Sequence, residues 1–262
     1  MPLVIDARIA SDGGASTETP THRVHASLVW LAVMSIPGNP DRRTVGGGIR
    51  VASHAKEYIM GILSVDLFIT LDGVYQGPGG PDEDREGGFE FGGWQAAYSD
   101  EETGQAIVAG INRMDALLLG RKTYDIFAGY WPNRTDDPIA DTFNALPKFV
   151  VSRSLTDPGW AGTTALSEVA EVAALKDRFE DIHVIGSGEL VRSLLKVDAV
   201  DRLNLFLYPI TLGAGKKLFP DGAGVPAAFR FAQPPQGFPT GAVALAYERA
   251  GVPVTGIDIG EG

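Results

Sequence analysis

The sequence predicts an α/β fold: a central mixed, mainly parallel sheet flanked by helices and closed by a C-terminal antiparallel hairpin. Three observations lead there. From Leu63 onward, short apolar strand patterns alternate with segments of helical period, the arrangement that puts helices on both faces of a sheet. Glycines stand where strands hand over to helices, at Gly120 and at Gly186-Ser187-Gly188. The last two strand-like stretches, near Phe229 and from Val243 to Tyr247, read as a hairpin, which adds an antiparallel edge.

Taken in order, Leu63, Val65, Leu67, Ile69 and Leu71 alternate with Ser64, Asp66, Phe68 and Thr70, the period of two that a strand requires, and Asp72-Gly73 ends it. A Gly-rich loop follows from Gly77 to Gly93, carrying the acidic run Asp82-Glu83-Asp84. Ser99 with Glu102 reads as a capping box for a helix whose inward stripe is Thr103, Ile107, Gly110, Ile111 and Met114. Ala116 to Leu119 is a short buried strand, and Gly120 hinges into a helix bearing Thr123, Ile126 and Phe127. Trp131-Pro132 and Asp136-Asp137 break the chain before a short helix from Ile139 to Asn144 and a strand from Lys148 to Ser152. Ser167 caps a helix with the core stripe Val169, Val172, Leu175 and Phe179. Ile182 to Ile185 is a strand, Glu189 to Leu195 a helix with Leu190 and Leu194 inward, and Leu203 to Tyr208 a strand. Gly213, Gly215 and Pro220 punctuate the loop that leads to the hairpin.

Composition bounds the function. The chain has 262 residues, 44% hydrophobic and 21% charged, enough for one generous core or two small ones. A net charge of -11 weighs against nonspecific nucleic-acid binding, because the polyanion would be repelled. Cysteine is absent, which excludes disulfides, thiol nucleophiles, Cys-ligated zinc and iron–sulfur clusters and suits the cytoplasm. No apolar run reaches the roughly 18 residues of a membrane span. The nearest, Ala26 to Pro37, lies too far into the chain and is too thinly flanked by basic residues for a secretion signal. Residues 1–59 differ from the rest, with six basic against five acidic side chains and loop-like runs at 13–21 and 46–48. The sharper reading makes Met60 the natural start and residues 1–59 a poorly ordered upstream extension; the duller makes them a disordered tail with a role in association. Residues 60–250 form the domain and 251–262 a flexible tail.

Three places favour an anion. Strand, Gly186-Ser187-Gly188, then Glu189 and Leu190 at a helix start give successive backbone amides with a helix N-terminus behind them. Gly120-Arg121-Lys122-Thr123 repeats the arrangement with two cations whose position opposes the helix dipole, a cost that a bound anion would offset. Ser152-Arg153-Ser154 closes a third strand with a guanidinium between hydroxyls, suited to the phosphate monoester that separates NADP from NAD. Each alone is also an ordinary turn or surface feature; together they suggest one ligand at the carboxyl ends of the strands. The four histidines offer less: His22, His25 and His54 precede the regular region, and His183 lies in a strand, packed or surface-facing. No metal-ligand cluster stands out, and the 82–84 acidic run reads as a solvated loop. Trp94, Tyr98, Tyr124, Trp131 and Tyr208 could face a flat heterocycle or simply fill the core.

With those sites in hand, residues 60–249 resemble the C-terminal domain of the riboflavin-biosynthesis pyrimidine reductase, which has a dihydrofolate reductase-like fold. The resembling segments, in order, are Phe68 to Gly73, Gly79 to Asp84, Leu118 to Tyr124, Val150 to Arg153, Ile185 to Leu190 and Pro209 to Phe219. The resemblance implies an NADPH-dependent reductase, commonly a homodimer, acting on a small planar heterocycle as 5-amino-6-(5-phosphoribosylamino)uracil reductase does. It implies cofactor phosphates at Gly186, Ser187, Gly188, Glu189 and Leu190 and around Gly120, Arg121, Lys122 and Thr123, with the 2'-phosphate near Ser152 and Arg153. The end of the first strand would border nicotinamide and substrate, and Asp66, Asp72, Trp94 and Tyr124 are the candidates to line that cleft. The family's frequent zinc deaminase domain has no counterpart here, and the acidic 77–93 loop weakens any carry-over of riboflavin-pathway specificity. A pterin reductase, and a ligand-binding protein of the same fold without turnover, remain as alternatives.

Overall fold

The computed structural model describes residues 60–222, 224–258 and 260. The apolar segment Ala26–Pro37, three of the histidines and every reading placed on residues 1–59 lie outside the described residues.

Strands β1 (Ile62–Thr70), β2 (Ala116–Gly120), β3 (Lys148–Val151), β4 (Thr163–Leu166), β5 (Asp181–Ile185) and β6 (Arg202–Tyr208) all run parallel. Then β9 (Val243–Arg249) adds antiparallel to β6, and β7 (Phe229–Phe231) and the short β8 (Gln236–Gly237) pair with β9. The order is β4-β3-β2-β5-β1-β6-β9-β7. The sheet is therefore mixed and mostly parallel, as the alternation of patterns predicts.

Its two faces carry different helices. Leu63, Val65, Leu67 and Ile69 of β1 pack with Leu190, Val191 and Leu194 of α4 (Gly188–Lys196) and with Val172 and Leu175. On the other face, Leu117 and Leu119 of β2 and Val150 of β3 meet α1 (Glu101–Ile111), α2 (Arg121–Tyr130) and α3 (Pro138–Ala145) through Ile111, Tyr124, Ile139 and Phe143. A third, aromatic cluster of Phe89, Trp94, Tyr208 and Phe238 closes the β6–β9 side.

Three local readings change. Asp100, not Ser99, caps α1: its carboxylate accepts the Thr103 N–H at 2.8 Å and the Thr103 hydroxyl at 2.9 Å. Ser99 instead ends a preceding turn, its N–H bonded to the Ala96 carbonyl. The segment Val169–Asp177 is a 3-10 helix capped reciprocally by Glu168 and Glu171 rather than an α-helix capped by Ser167. Val169, Val172 and Leu175 recur every third residue, the period at which 3-10 side chains align. The edge strand β4 was not anticipated: only Leu166 of its residues is buried, so it carries little apolar signal.

Candidate active site at the strand ends

The sheet order creates a crevice. The helix after β2 leads toward β3, while the helix after β5 leads the other way, past β1 to β6, and β2 and β5 are neighbours. Connections that diverge from adjacent parallel strands leave a gap at their carboxyl ends, where open α/β sheets take ligands. Here the gap belongs to a cavity of about 1600 Å³.

Both helices that start at the gap are uncapped. Gly120 precedes α2 and Ser187 precedes α4, and neither position supplies a side-chain bond to the first turn. By contrast, Asp100 and Asp137 cap α1 and α3. Free amides at two helix N-termini, with the positive ends of two helix dipoles, form a seat for anions. The Ser187 hydroxyl joins the two starts: it accepts the Gly120 N–H at 2.9 Å and lies 3.0 Å from both the Thr123 hydroxyl and the Ile185 carbonyl oxygen. Gly186 takes φ +63°, a conformation that suits glycine.

Gly188 has another reason to be glycine: a Cβ there would lie 2.2 Å from the Tyr75 ring. Its missing side chain makes room for that aromatic, which itself lines the cavity. Gly188→Ala is expected to cost about 1–3 kcal/mol by overpacking, read as a fall in urea midpoint. A change below about 0.5 kcal/mol would show that Tyr75 yields freely.

The cavity is lined by Gly120, Arg121, Lys122 and Thr123, by Ser152 and Arg153, and by the whole turn from Gly186 to Leu190. The structure thus brings together all three anion-friendly places named from sequence. Their cations are engaged differently. Arg121 is held by Asp125 at 2.8 Å, one helical turn on. Lys122 donates at 2.6 Å to both Asp84 and Glu86, and Lys216 bonds the same two carboxylates. Although burial opposes charge on Asp84, Lys122 and Lys216 hold its carboxyl below the usual range. The guanidinium of Arg153 is exposed and makes no hydrogen bond or ion pair among the described residues.

The acidic loop is therefore built rather than merely solvated. Asp82 pairs with Arg85, and Glu83 accepts the Gly79 and Gly80 amides at 2.6 and 3.0 Å. Burial raises the Glu83 pKa even so. Gln76 ties the loop down by donating to the carbonyls of Asp84 and Glu86.

Of the four residues expected to border the reacting groups, Asp66 alone lines the cavity. Asp72 accepts from the Thr70 hydroxyl and from the Leu212 and Gly213 amides; these bonds outweigh its slight burial and lower its pKa. That carboxylate braces two loops. Trp94 is buried, donating from its indole to the Gln76 carbonyl and meeting Tyr208 edge to face at 5.4 Å. Tyr124 is buried among the helices, where its hydroxyl accepts the Trp160 N–H.

Around Asp66 lies a charged row across the sheet face. His183 Nδ1 is 2.6 Å from Asp66 Oδ2, its Nε2 is 2.9 Å from Asp181 Oδ1, and Asn204 donates to Asp66 Oδ1 at 3.1 Å. Burial alone would push the imidazole down, but the two carboxylates overcome this and raise it to about 9. His183 is thus a buried ring between two carboxylates: Nδ1 hydrogen-bonds Asp66, whereas Nε2 lies close to Asp181 without the alignment of a hydrogen bond. Its burial fits the packed reading of a strand histidine; its two charged partners were missed.

Comparison with known proteins follows the same lines. The RibD C-terminal domain model matches residues 62–234. The uncharacterized protein YyaP of Bacillus subtilis (strain 168) is 27% identical over 166 residues, covering 60% of this chain and 79% of that protein. The crystal structure of a candidate riboflavin biosynthesis protein from Shewanella sp. PV-4 superposes with a TM-score of 0.51 at 21% identity, over 72% of this chain and 99% of that one.

Proposed function

The chain belongs to the RibD C-terminal domain family, and on that footing we propose that it is an NADPH-dependent reductase of a small planar heterocycle. The observation that carries this reading is the pair of uncapped helix N-termini opening into one large cavity at the switch point of the sheet. The pyrophosphate would take the amides of Glu189 and Leu190 and of Arg121 to Thr123, with the Ser187 hydroxyl fixing the distance between the two starts. Exposed Arg153, beside Ser152, would receive the 2'-phosphate. NADPH would supply the hydride. The protein's own part is to hold the ring and the acceptor together and to exclude water, with the 77–93 loop tied across the cavity through Lys122 and Lys216.

Dialysed protein titrated with NADPH should show a change in nicotinamide fluorescence and a rise in melting temperature. No response at millimolar cofactor would end the reading. Arg153→Ala should weaken NADPH by about 10- to 100-fold, the worth of a charge-assisted contact, and leave NADH nearly unchanged. Equal loss for both would remove Arg153 from the 2'-phosphate site. We extend the proposal to a cytoplasmic homodimer, a state that sedimentation of the purified chain would check.

A further inference from the structure

A closed ring of four charges fastens the tip of the 77–93 loop. Lys122, in the first turn of α2, and Lys216 each donate to both Asp84 and Glu86. This is more than a surface pair, since the side chains of Asp84 and Lys216 are only 11% and 23% exposed. Lys122, and after it Lys216, hold the Glu86 carboxyl below its ordinary range. On either side of the ring the chain can turn. Gly77 takes φ +55°, and Gly87 and Gly88 take +70° and +78° with open space where a side chain would stand. The last two glycines therefore serve backbone conformation rather than packing, as a pivot requires. Besides the ring, Gln76 holds the tip by donating to the Asp84 and Glu86 carbonyls.

Lys122 stands where two claims on it meet. Its helix start carries free amides and lines the cavity together with Asp84, Glu86 and Lys216. A phosphate on those amides would lie beside a lysine already engaged by two carboxylates. Two cations against two carboxylates leave the ring neutral. Added phosphate would bring negative charge next to Asp84 and Glu86 with no cation of the ring to answer it. We propose that Asp84 and Glu86 are an autoinhibitory stand-in for a ligand's phosphate, and that a diphosphate-bearing ligand takes Lys122 from them and frees the tip of the loop. This rests on the reductase reading for the anion site at α2 and adds a gate to it. Lys216 and Gln76 still hold the loop once Lys122 has turned away, so it loosens at one end instead of leaving the cavity.

The test uses the full chain and inorganic pyrophosphate. Calorimetry should find that Glu86→Gln binds pyrophosphate about three- to fivefold more tightly than the wild type, because one competing charge has gone from an exposed position. Trypsin gives a second measurement that needs no variant. Arg85 is exposed and lies between the two carboxylates, so cleavage after it requires the tip to extend away from the ring. Pyrophosphate should speed that cleavage severalfold in the wild type, and sodium chloride at equal ionic strength should do so far less. Equal affinity of the two proteins, binding to neither, a cleavage rate that pyrophosphate leaves unchanged or lowers, or an equal effect of chloride would overturn the gate. NADPH separates this idea from the one it rests on. If NADPH binds while Glu86→Gln changes nothing, the gate falls and the reductase reading stands. If the variant gains affinity for pyrophosphate while NADPH does not bind, the gate stands and the cofactor assignment falls.

Discussion

Replacing Lys148 with methionine is expected to lower the unfolding free energy by about 1–3 kcal/mol, the cost of leaving its buried carbonyl partners without a donor, with a melting temperature several degrees lower. Lys148 opens β3 and is fully buried, yet its ammonium is well supplied. It donates to the carbonyls of Phe143 at 2.9 Å, Asn144 at 3.1 Å and Leu146 at 2.7 Å, and lies 4.7 Å from the centre of the Trp160 ring. Two of those carbonyls belong to the last turn of α3, which ends without four of its own acceptors satisfied. Negative charge gathers there through the helix dipole, so the cation serves as an internal C-cap. Burial pushes the amine down to about 8, and at neutral pH it still carries its proton. Methionine keeps the volume of the stem, so the loss measured is that of the donors and the charge rather than of packing. Urea unfolding at pH 7 with an unchanged m-value would check it. A loss under 1 kcal/mol would mean that water or a backbone shift serves the carbonyls instead.

Lys148 also marks where sequence reading stops. A lysine at the start of an apolar strand looks like a surface flank, because its acceptors come from a turn whose path is not written in residue types. The sheet itself was legible for the opposite reason. β1 alternates apolar and polar side chains because one face meets α4 and the other carries Ser64, Asp66 and Phe68, and that contrast lies within nine residues. Weak alternation hid β4, an edge strand with little to bury.

The pair of open helix starts was legible because it is local. Strand, glycine and helix start follow one another within a few residues at Gly120 and at Gly186, and the geometry of a helix N-terminus comes with them. What fills the rest of the site is not local. Lys122 meets Asp84 and Glu86 across 38 and 36 residues, and Lys216 meets Asp84 across 132. No spacing announces such pairs. Asp72, Trp94 and Tyr124 show the converse. Their residue types suit chemistry, but their side chains are spent on the loops and helices that frame the cavity.

His183→Gln should cost about 3 kcal/mol at pH 6 and far less at pH 9.5. The imidazole sits between Asp66 and Asp181, and its pKa rises from 6.5 to about 9 on folding. A group whose folded pKa lies above its unfolded one binds more protons in the native state between those values. Its contribution is therefore complete below 6.5 and disappears as the pH climbs through 9, and the rise corresponds to roughly 3 kcal/mol. Lys148 acts in the opposite sense: its folded pKa is depressed to about 8 from 10.5, so it adds stability as pH rises across that span. Both proteins contain Lys148, so the difference between wild type and His183→Gln isolates the histidine. Glutamine keeps a polar side chain on the strand but removes the charge that lies between the two carboxylates, leaving Arg202 to act on Asp181 alone. The penalty at pH 6 is that of their uncompensated repulsion in a buried place. Urea titrations at the two pH values give the gap directly, and it should close to below about 1 kcal/mol at the higher pH. A gap that stayed constant would show that the folded imidazole is neutral. The row of Asp66, His183 and Asp181 would then be held by packing rather than by charge, and the carboxylate offered to the cavity would lack its fixed counter-ion.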